Sequence, residues 1–426
     1  MNQRQIAVHQ ALILGHQAQL NLQLAAYHYH RQRRRAVKRV WVYGWMSVER
    51  RLERGFYDGL MEELRLEDPH RFTNFVRMEP RMFDEILNRV RVELSKQDTN
   101  FRKAIDPGLK LACTLRYLAT GESYTSLQYQ FRVSQPSISH FLPLVIVAIK
   151  EAYRDEVMEC PTTVEGWRAV AREFDSRWNV PHACGALDGK HISIRQPPES
   201  GSEYHNYKGF FSLVMLALVD AQYKFLWVDI GGQGSQSDCQ IFNSSELKEA
   251  LEDGSLNLPP ADAMPNDDQP TPYFILGDDA FALKSYLMKP YPYRGMTREQ
   301  RIYNYRISRG RRVVENAFGI LAQRFNVLLS TMLVSVEHAK LVVEGCVILH
   351  NLMRMRYPNM QNPLFDREDQ DHNIIPGQWR VNANRHEIQQ VHGHNIDSTV
   401  GKRQRETLRL YFNSPAGSVP WQHRMV

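Results

Sequence analysis

Gly185-Ala186-Leu187-Asp188-Gly189-Lys190-His191-Ile192 is the stretch on which the fold turns. Before it, from Phe56 to about Val180, apolar residues recur at helical spacing, as in Met82, Phe83, Ile86, Leu87 and Val90. From about Cys184 the pattern becomes that of strands. Gly185–Asp188 and His191–Arg195 flank Gly189-Lys190 as one long bent strand or a tight hairpin. Phe210–Val219 is nearly all apolar, and Phe225–Ile230 follows a short polar break, so these segments pair as an antiparallel meander. Gly231-Gly232-Gln233-Gly234-Ser235 reads as a loop, and without a following Lys-Ser/Thr it is no nucleotide cradle. Tyr273–Leu276 is a further short strand, and Ser308–Leu329 a strong helix.

Within the helical half, Leu109–Thr120, Ser126–Phe131 and Ser134–Leu142 outline a helix-turn-helix, with Ser134 placed to cap the last piece. In that arrangement Gln135, Ser137, Ser139 and His140 face DNA; a plain helical bundle gives the same outline. The expected organisation is a basic, partly disordered arm over 1–54 and a helical domain over 55–182 with the helix-turn-helix at 109–142. An α/β domain follows over 183–355, then a polar loop and basic tail over 356–426.

Three acids stand where an apolar core would not choose them. Asp188 lies inside a strand, Asp278 closes Tyr273–Leu276, and Glu315 flanks the helix beside Val314. Strand, later strand and then helix is the order in which an RNase H-like mixed sheet gathers three carboxylates around metal. Phosphodiester cleavage builds charge on attacking and leaving oxygens, and two Mg²⁺ ions stabilise both ends of an in-line displacement. Mg²⁺ takes hard oxygen ligands, and carboxylates crowded together repel one another without it.

The residues around these acids carry a resemblance. GALDGKHI (185–192), YHNYKGFFS (204–212), GSQSD (234–238), ILGDDAF (275–281) and RRVVENAFGILAQRF (311–325) occur in this order, with WRAVAREFDSRWNVP (167–181) upstream and VILHNLM (347–353) downstream. Together they resemble the PIF/Harbinger-type DDE transposases and their domesticated nuclease relatives, from about residue 56 to 355, with a weaker echo at 401–412. The resemblance implies an RNase H-like nuclease core flanked by helices, with Asp188, Asp278 and Glu315 as catalytic metal ligands for two Mg²⁺ ions, Mn²⁺ substituting. Asp238 falls in a family motif, as a loop carboxylate orienting a Lys or the backbone, or as a further metal ligand. Lys190 and Phe281 depart from the family, which often has Thr and Tyr there. The implied activity is DNA endonuclease or transposase: water attacks first, freeing a 3′-hydroxyl that in a transposase then attacks target DNA. A domesticated, non-catalytic DNA- or protein-binding relative is the alternative. A Myb/SANT-like partner protein and a homo-oligomeric active form are also implied.

Charge points to where DNA would lie. The chain has 426 residues, 53 Lys+Arg against 47 Asp+Glu, and a formal charge of +6. Residues 1–54 hold ten bases and two acids, so the arm is +8 and the body −2. Arg31, Arg33, Arg34, Arg35, Lys38 and Arg39 make a nuclear-import candidate or a plain solvated run. Arg298, Arg301, Arg306, Arg309, Arg311 and Arg312 approach Glu315, and with Lys208 they are candidates for phosphate contact. Arg311 also stands four residues before Glu315, the spacing of an intrahelical ion pair. Five scattered cysteines without a CxxC argue against a disulfide framework. The longest apolar run, Phe141–Ile149, is about half the ~20 residues a membrane span needs. A nuclear or cytoplasmic protein without an organic cofactor is the expectation.

Overall fold

The computed structural model describes residues 15, 17–27, 42–99, 103–357, 366–369, 371–377, 380 and 396–426. The nuclear-import candidates at 31–39 lie outside the described residues.

A five-stranded mixed sheet organises the molecule. Its strands are β1 (Ala183–Ser193), β2 (Ser212–Val219), β3 (Phe225–Gln233), β6 (Phe274–Leu276) and β7 (Leu287–Met288), in the order β3-β2-β1-β6-β7. Two-residue pieces β4 (Asp262–Ala263) and β5 (Pro270–Thr271) pair separately. β1 is antiparallel to β2 and parallel to β6. It is a single strand through Gly189-Lys190, the first of the two expected alternatives. β3 runs on through Gly231-Gly232-Gln233, whose backbone pairs with Leu213 and Val214, so the first three residues of the glycine-rich stretch are strand, and Gly234-Ser235 form the turn that follows. Glycine is a poor strand former in isolation, and the ladder to fully buried β2 overrides that preference.

Helices cover both faces. On one lie α8 (Val164–Trp178), α9 (Asp238–Asn243) and α10 (Glu246–Glu252), where Trp167, Leu187, Leu216, Phe242 and Ile275 share a cluster. On the other lie α11 (Arg298–Arg324) and α12 (Val336–Arg356), against Ala186, Ile192, Met215 and Leu276. That second cluster continues into the N-terminal helices: α1 (Val48–Arg54), α2 (Leu60–Glu67), α3 (Pro69–Val76), α4 (Pro80–Leu94), α5 (Pro107–Thr120), α6 (Tyr124–Phe131) and α7 (Gln135–Val157). The C-terminal α13 (Thr399–Asn413) packs on α11.

α7 is longer than the expected Ser134–Leu142 and runs through Pro143. An interior proline costs about 3 kcal/mol. Burial of Val145, Ile146, Ile149 and Tyr153 offsets it, since each large apolar side chain contributes about 1.5–3 kcal/mol. The axes of α6 and α7 meet at 98°, within the angular range of helix-turn-helix units. Ser134 is the N-cap residue, but its hydroxyl bonds Ser137 Oγ at 2.9 Å and makes no capping bond. His140 and Ser139 are exposed, whereas Gln135 and Ser137 are half-buried, Gln135 bonding Thr125. Among the described residues no single helix is long and apolar enough to cross a membrane.

Candidate active site

Parallel pairing of β1 with β6 places Ala186 opposite Leu276, and both side chains enter the core beneath α11. Two residues further along each chain stand Asp188 and Asp278. Side chains two apart on a strand share a face, so Asp188 points toward α11. The Lys190 ammonium, 5.9 Å from the Phe318 ring centroid on α11, marks the same face. Asp278 follows the last residue of β6 by one glycine and is buried; its Oδ1 accepts a bond from the Ala280 amide at 2.9 Å, fixing the turn. Asp188 Oδ1 accepts from the Gly189 amide at 3.0 Å.

Glu315 sits on the α11 face turned to these strands. Gly310 permits that approach: a Cβ there would lie 2.6 Å from Leu276 Cδ1. Arg311 Nη2 lies 2.9 Å from Glu315 Oε1, the expected intrahelical pair, and Arg380 Nη2 donates to Glu315 Oε2 at 3.3 Å.

Asp238, the first residue of α9, reaches the group from the other face. Its carboxylate fills the space a side chain at 189 would occupy, with a Cβ on Gly189 falling 2.1–2.6 Å from the Asp238 carboxylate atoms. The acidic strand residue is therefore followed by a position where only glycine fits.

Electrostatics ties the four acids together. Burial and then the charge of Asp278 push Asp188 well above the usual carboxylate range; Asp238 and Glu315 add to this, and Arg311 opposes it. Burial and Asp278 push Asp238 up to about 6, against Lys208 and the Gly189 amide. Burial works against the charge on Arg311, yet Glu315, Asp188 and Asp278 outweigh it and hold the guanidinium above its ordinary range. Lys190 is lowered by burial and Lys208, and raised less by Asp188.

The donor set suits a hard divalent cation: carboxylate oxygens, crowded, with unfavourable mutual repulsion. Among the described residues, however, no three acidic, His or Cys side chains converge closely enough to hold one ion as they stand. Asp188, Asp278 and Asp238 feel one another's charge without meeting at one point, while arginines face both oxygens of Glu315.

The arginine stretch divides. Arg298 and Arg301 are exposed. Arg306 and Arg309, expected at phosphate, instead point inward and are 2% and 4% exposed. Arg306 donates to Asn179 O, Gly417 O and Gln422 Oε1. Arg309 grips Glu368 with two 2.7 Å bonds, and Arg312 lies 3.7 Å from the same carboxylate. A helix turns about 100° per residue, so one arginine run is shared between solvent and core. Lys208 is exposed near Asp238. His191 takes the opposite face from Asp188, with Nδ1 2.9 Å from Ser212 Oγ and its ring against Tyr207. Sequence reading missed Gly310 and Arg380. A glycine inside an amphipathic helix was the available signal for the first; nothing local marks the second.

Residues 187–351 match the DDE superfamily endonuclease family, a span that includes Asp188, Asp238, Asp278 and Glu315. The chain carries a DDE superfamily endonuclease domain. The mouse and human proteins named Putative nuclease HARBI1 are each 26% identical to it over 276 residues, covering 64% of this chain and 74% of theirs. Protein ALP1-like from Arabidopsis thaliana is 24% identical over 295 residues, 67% of this chain and 71% of its own. The chain is thus similar, at modest identity, to Harbinger-transposase-derived nucleases. No solved structure matches the chain. Endonucleases of the DDE superfamily generally use divalent metals.

Proposed function

We propose that the protein is a metal-dependent DNA endonuclease of RNase H-like architecture. The observation that carries the reading is the emergence of Asp188 and Asp278 side by side from parallel neighbours β1 and β6, beneath the helix that bears Glu315. Asp188, Asp278 and Glu315 would hold the cations, with Asp238 as a fourth carboxylate in reserve. Two divalent cations, Mg²⁺ or Mn²⁺, supply stabilisation of the attacking and leaving oxygens of an in-line displacement. The exposed bases Lys208, Arg298 and Arg301 contact DNA phosphates and set the scissile strand against the carboxylates. Half-buried Arg311 reaches the same space from α11. Cleavage leaves a 3′-hydroxyl, and strand transfer by that hydroxyl makes the protein a transposase.

The remaining organisation is part of the same proposal. The helical region 55–182 places DNA, through the α6–α7 unit or as a scaffold beside a Myb/SANT-like partner. The basic arm directs the chain to the nucleus, and the active form is a homo-oligomer.

Nicking of supercoiled duplex DNA in Mg²⁺ or Mn²⁺ tests the reading. The wild type is expected to nick, and Asp278→Asn to lose nicking while keeping the fold by circular dichroism. Absence of cation-dependent cleavage by the wild type with its partner present overturns the enzyme and favours a non-catalytic binding protein.

A further inference from the structure

The segment from Asp366 to Arg380 lies beyond the span matched to the DDE family, and its sequence reads only as a polar loop. Its described residues nonetheless dock on α11 at the third carboxylate. The Asp366 side chain is 1% exposed and accepts from the Gly377 amide at 2.9 Å. Its two oxygens take Arg380 Nε at 3.0 and 2.9 Å, and one takes Nη2 at 2.7 Å. The Asp366 amide donates to Asn316 Oδ1 at 3.4 Å, one residue from Glu315. Nearby, β8 (Arg367–Glu368), paired with β9 (Ile374–Ile375), supplies Glu368 to Arg309 and Arg312. The segment thus meets α11 with opposite charges, offering the single acid Glu368 to two of its arginines and Arg380 to its glutamate.

Asp366 and Glu315 hold Arg380 unequally. Asp366 binds it through a buried fork, the geometry that makes Arg–carboxylate pairs strong. Glu315 meets it in one bond at 3.3 Å, in a half-exposed setting where such pairs contribute little. Arg380 can therefore release Glu315 without leaving Asp366.

We propose that Arg380, anchored on Asp366, is a gate on the third carboxylate: with Arg311 it holds Glu315 in the cation-free protein, and Glu315 turns to a divalent cation only when Arg380 lets go. This rests on the reading of Asp188, Asp278 and Glu315 as a cation site. A guanidinium and a cation compete for the same oxygens, so Arg380 lowers cation affinity at rest. A DNA phosphate arriving at Arg380 offers it a replacement partner and frees Glu315. Arg380 is a positioning residue on this account.

Calorimetric titration of the full chain with Mn²⁺ alone, without DNA, tests the gate. Arg380→Ala and Arg380→Gln are each expected to tighten Mn²⁺ binding about three- to tenfold, since a charge-assisted bond to the competing group is removed. Structural damage would weaken binding, so tightening separates gating from support. Unchanged or weaker binding in both variants, with melting temperatures within the wild-type range, overturns the gate alone. A wild-type isotherm indifferent to Asp188→Asn overturns the cation-site reading and the gate with it.

Discussion

Asp278→Asn should stabilise the cation-free protein while removing its response to cations. Neighbouring strands run ~4.8 Å apart, and two unit charges about 5 Å apart at an effective dielectric of ~20 repel by about 3 kcal/mol. Arg311 is drawn to Asp278 after Glu315 and Asp188, so its attraction returns part of that. A net gain of about 1–2 kcal/mol remains, of the size expected for relieving one partly compensated charge. The Ala280 amide bond survives, because an asparagine oxygen accepts as well. With an unfolding entropy of ~2.1 cal/mol/K per residue, the melting temperature of a chain this long should rise by about 1–2 °C. Mg²⁺ at ~100 times its Kd should add about 2.7 kcal/mol to the wild type and nothing to the variant. The sign with pH follows from Asp188 and Asp238, both raised above the unfolded value of 3.8. A raised folded-state pKa means the folded protein binds the proton more tightly, so this stability is full below the unfolded value and lost as pH rises. The advantage of the variant should open between about pH 4 and the folded value of about 6 for Asp238. Scanning calorimetry across that range, with and without Mg²⁺, makes the measurement. A lower melting temperature for the cation-free variant at pH 7, or an intact Mg²⁺ response, would refute the reasoning.

Three further outcomes follow from named contacts. Gly189→Ala should displace the Asp238 carboxylate and destabilise the protein by about 1–3 kcal/mol, as overpacking does; chemical denaturation checks this, and adding Asp238→Ala should restore part of the loss. Arg309→Ala should cost about 1.5–3 kcal/mol by removing the charge-assisted bonds to Glu368, which keeps Arg312 at 3.7 Å and His372 at 3.3 Å, read as a drop in denaturation midpoint. Lys208→Ala should leave the melting temperature unchanged while reducing the slope of log affinity for DNA against log salt by about 1, measured by fluorescence anisotropy.

Local pattern made the sheet and the aspartates legible. An uninterrupted apolar approach to Asp188 and a second one to Asp278 announce two buried strands ending in acids, and parallel pairing makes them neighbours. Local pattern could not divide the arginine run. α11 begins at Arg298, ten residues before the expected start, because a segment with arginines on all faces has no apolar stripe to recognise. Arg306 and Arg309 are solvable only with Gly417, Gln422 and Glu368 in view, and these lie 59 to 116 positions away. Likewise, the need for glycine at 189 is set by Asp238, which enters from another element altogether. Strand identity is written in neighbours along the chain, whereas the neutralisation of a buried charge is written in partners across it.

The same charges bear on how the proposed site would be used. Four carboxylates, Asp188, Asp238, Asp278 and Glu315, are met within the protein by Lys190, Lys208, Arg311 and Arg380, the last shared with Asp366. Such a site is nearly neutral without cations, which lets it fold with buried acids and also weakens its pull on free Mg²⁺. Phosphate changes the balance, because it draws on the bases and leaves the carboxylates underpaired. Cation affinity should then rise as DNA binds, and by linkage DNA affinity should rise by the same factor as cations load. Lys190 sharpens the point. Its ammonium is a cation fixed beside Asp188 that lies against Phe318. A site supplied with its own bases is better suited to acting only on bound DNA than to holding metal at rest.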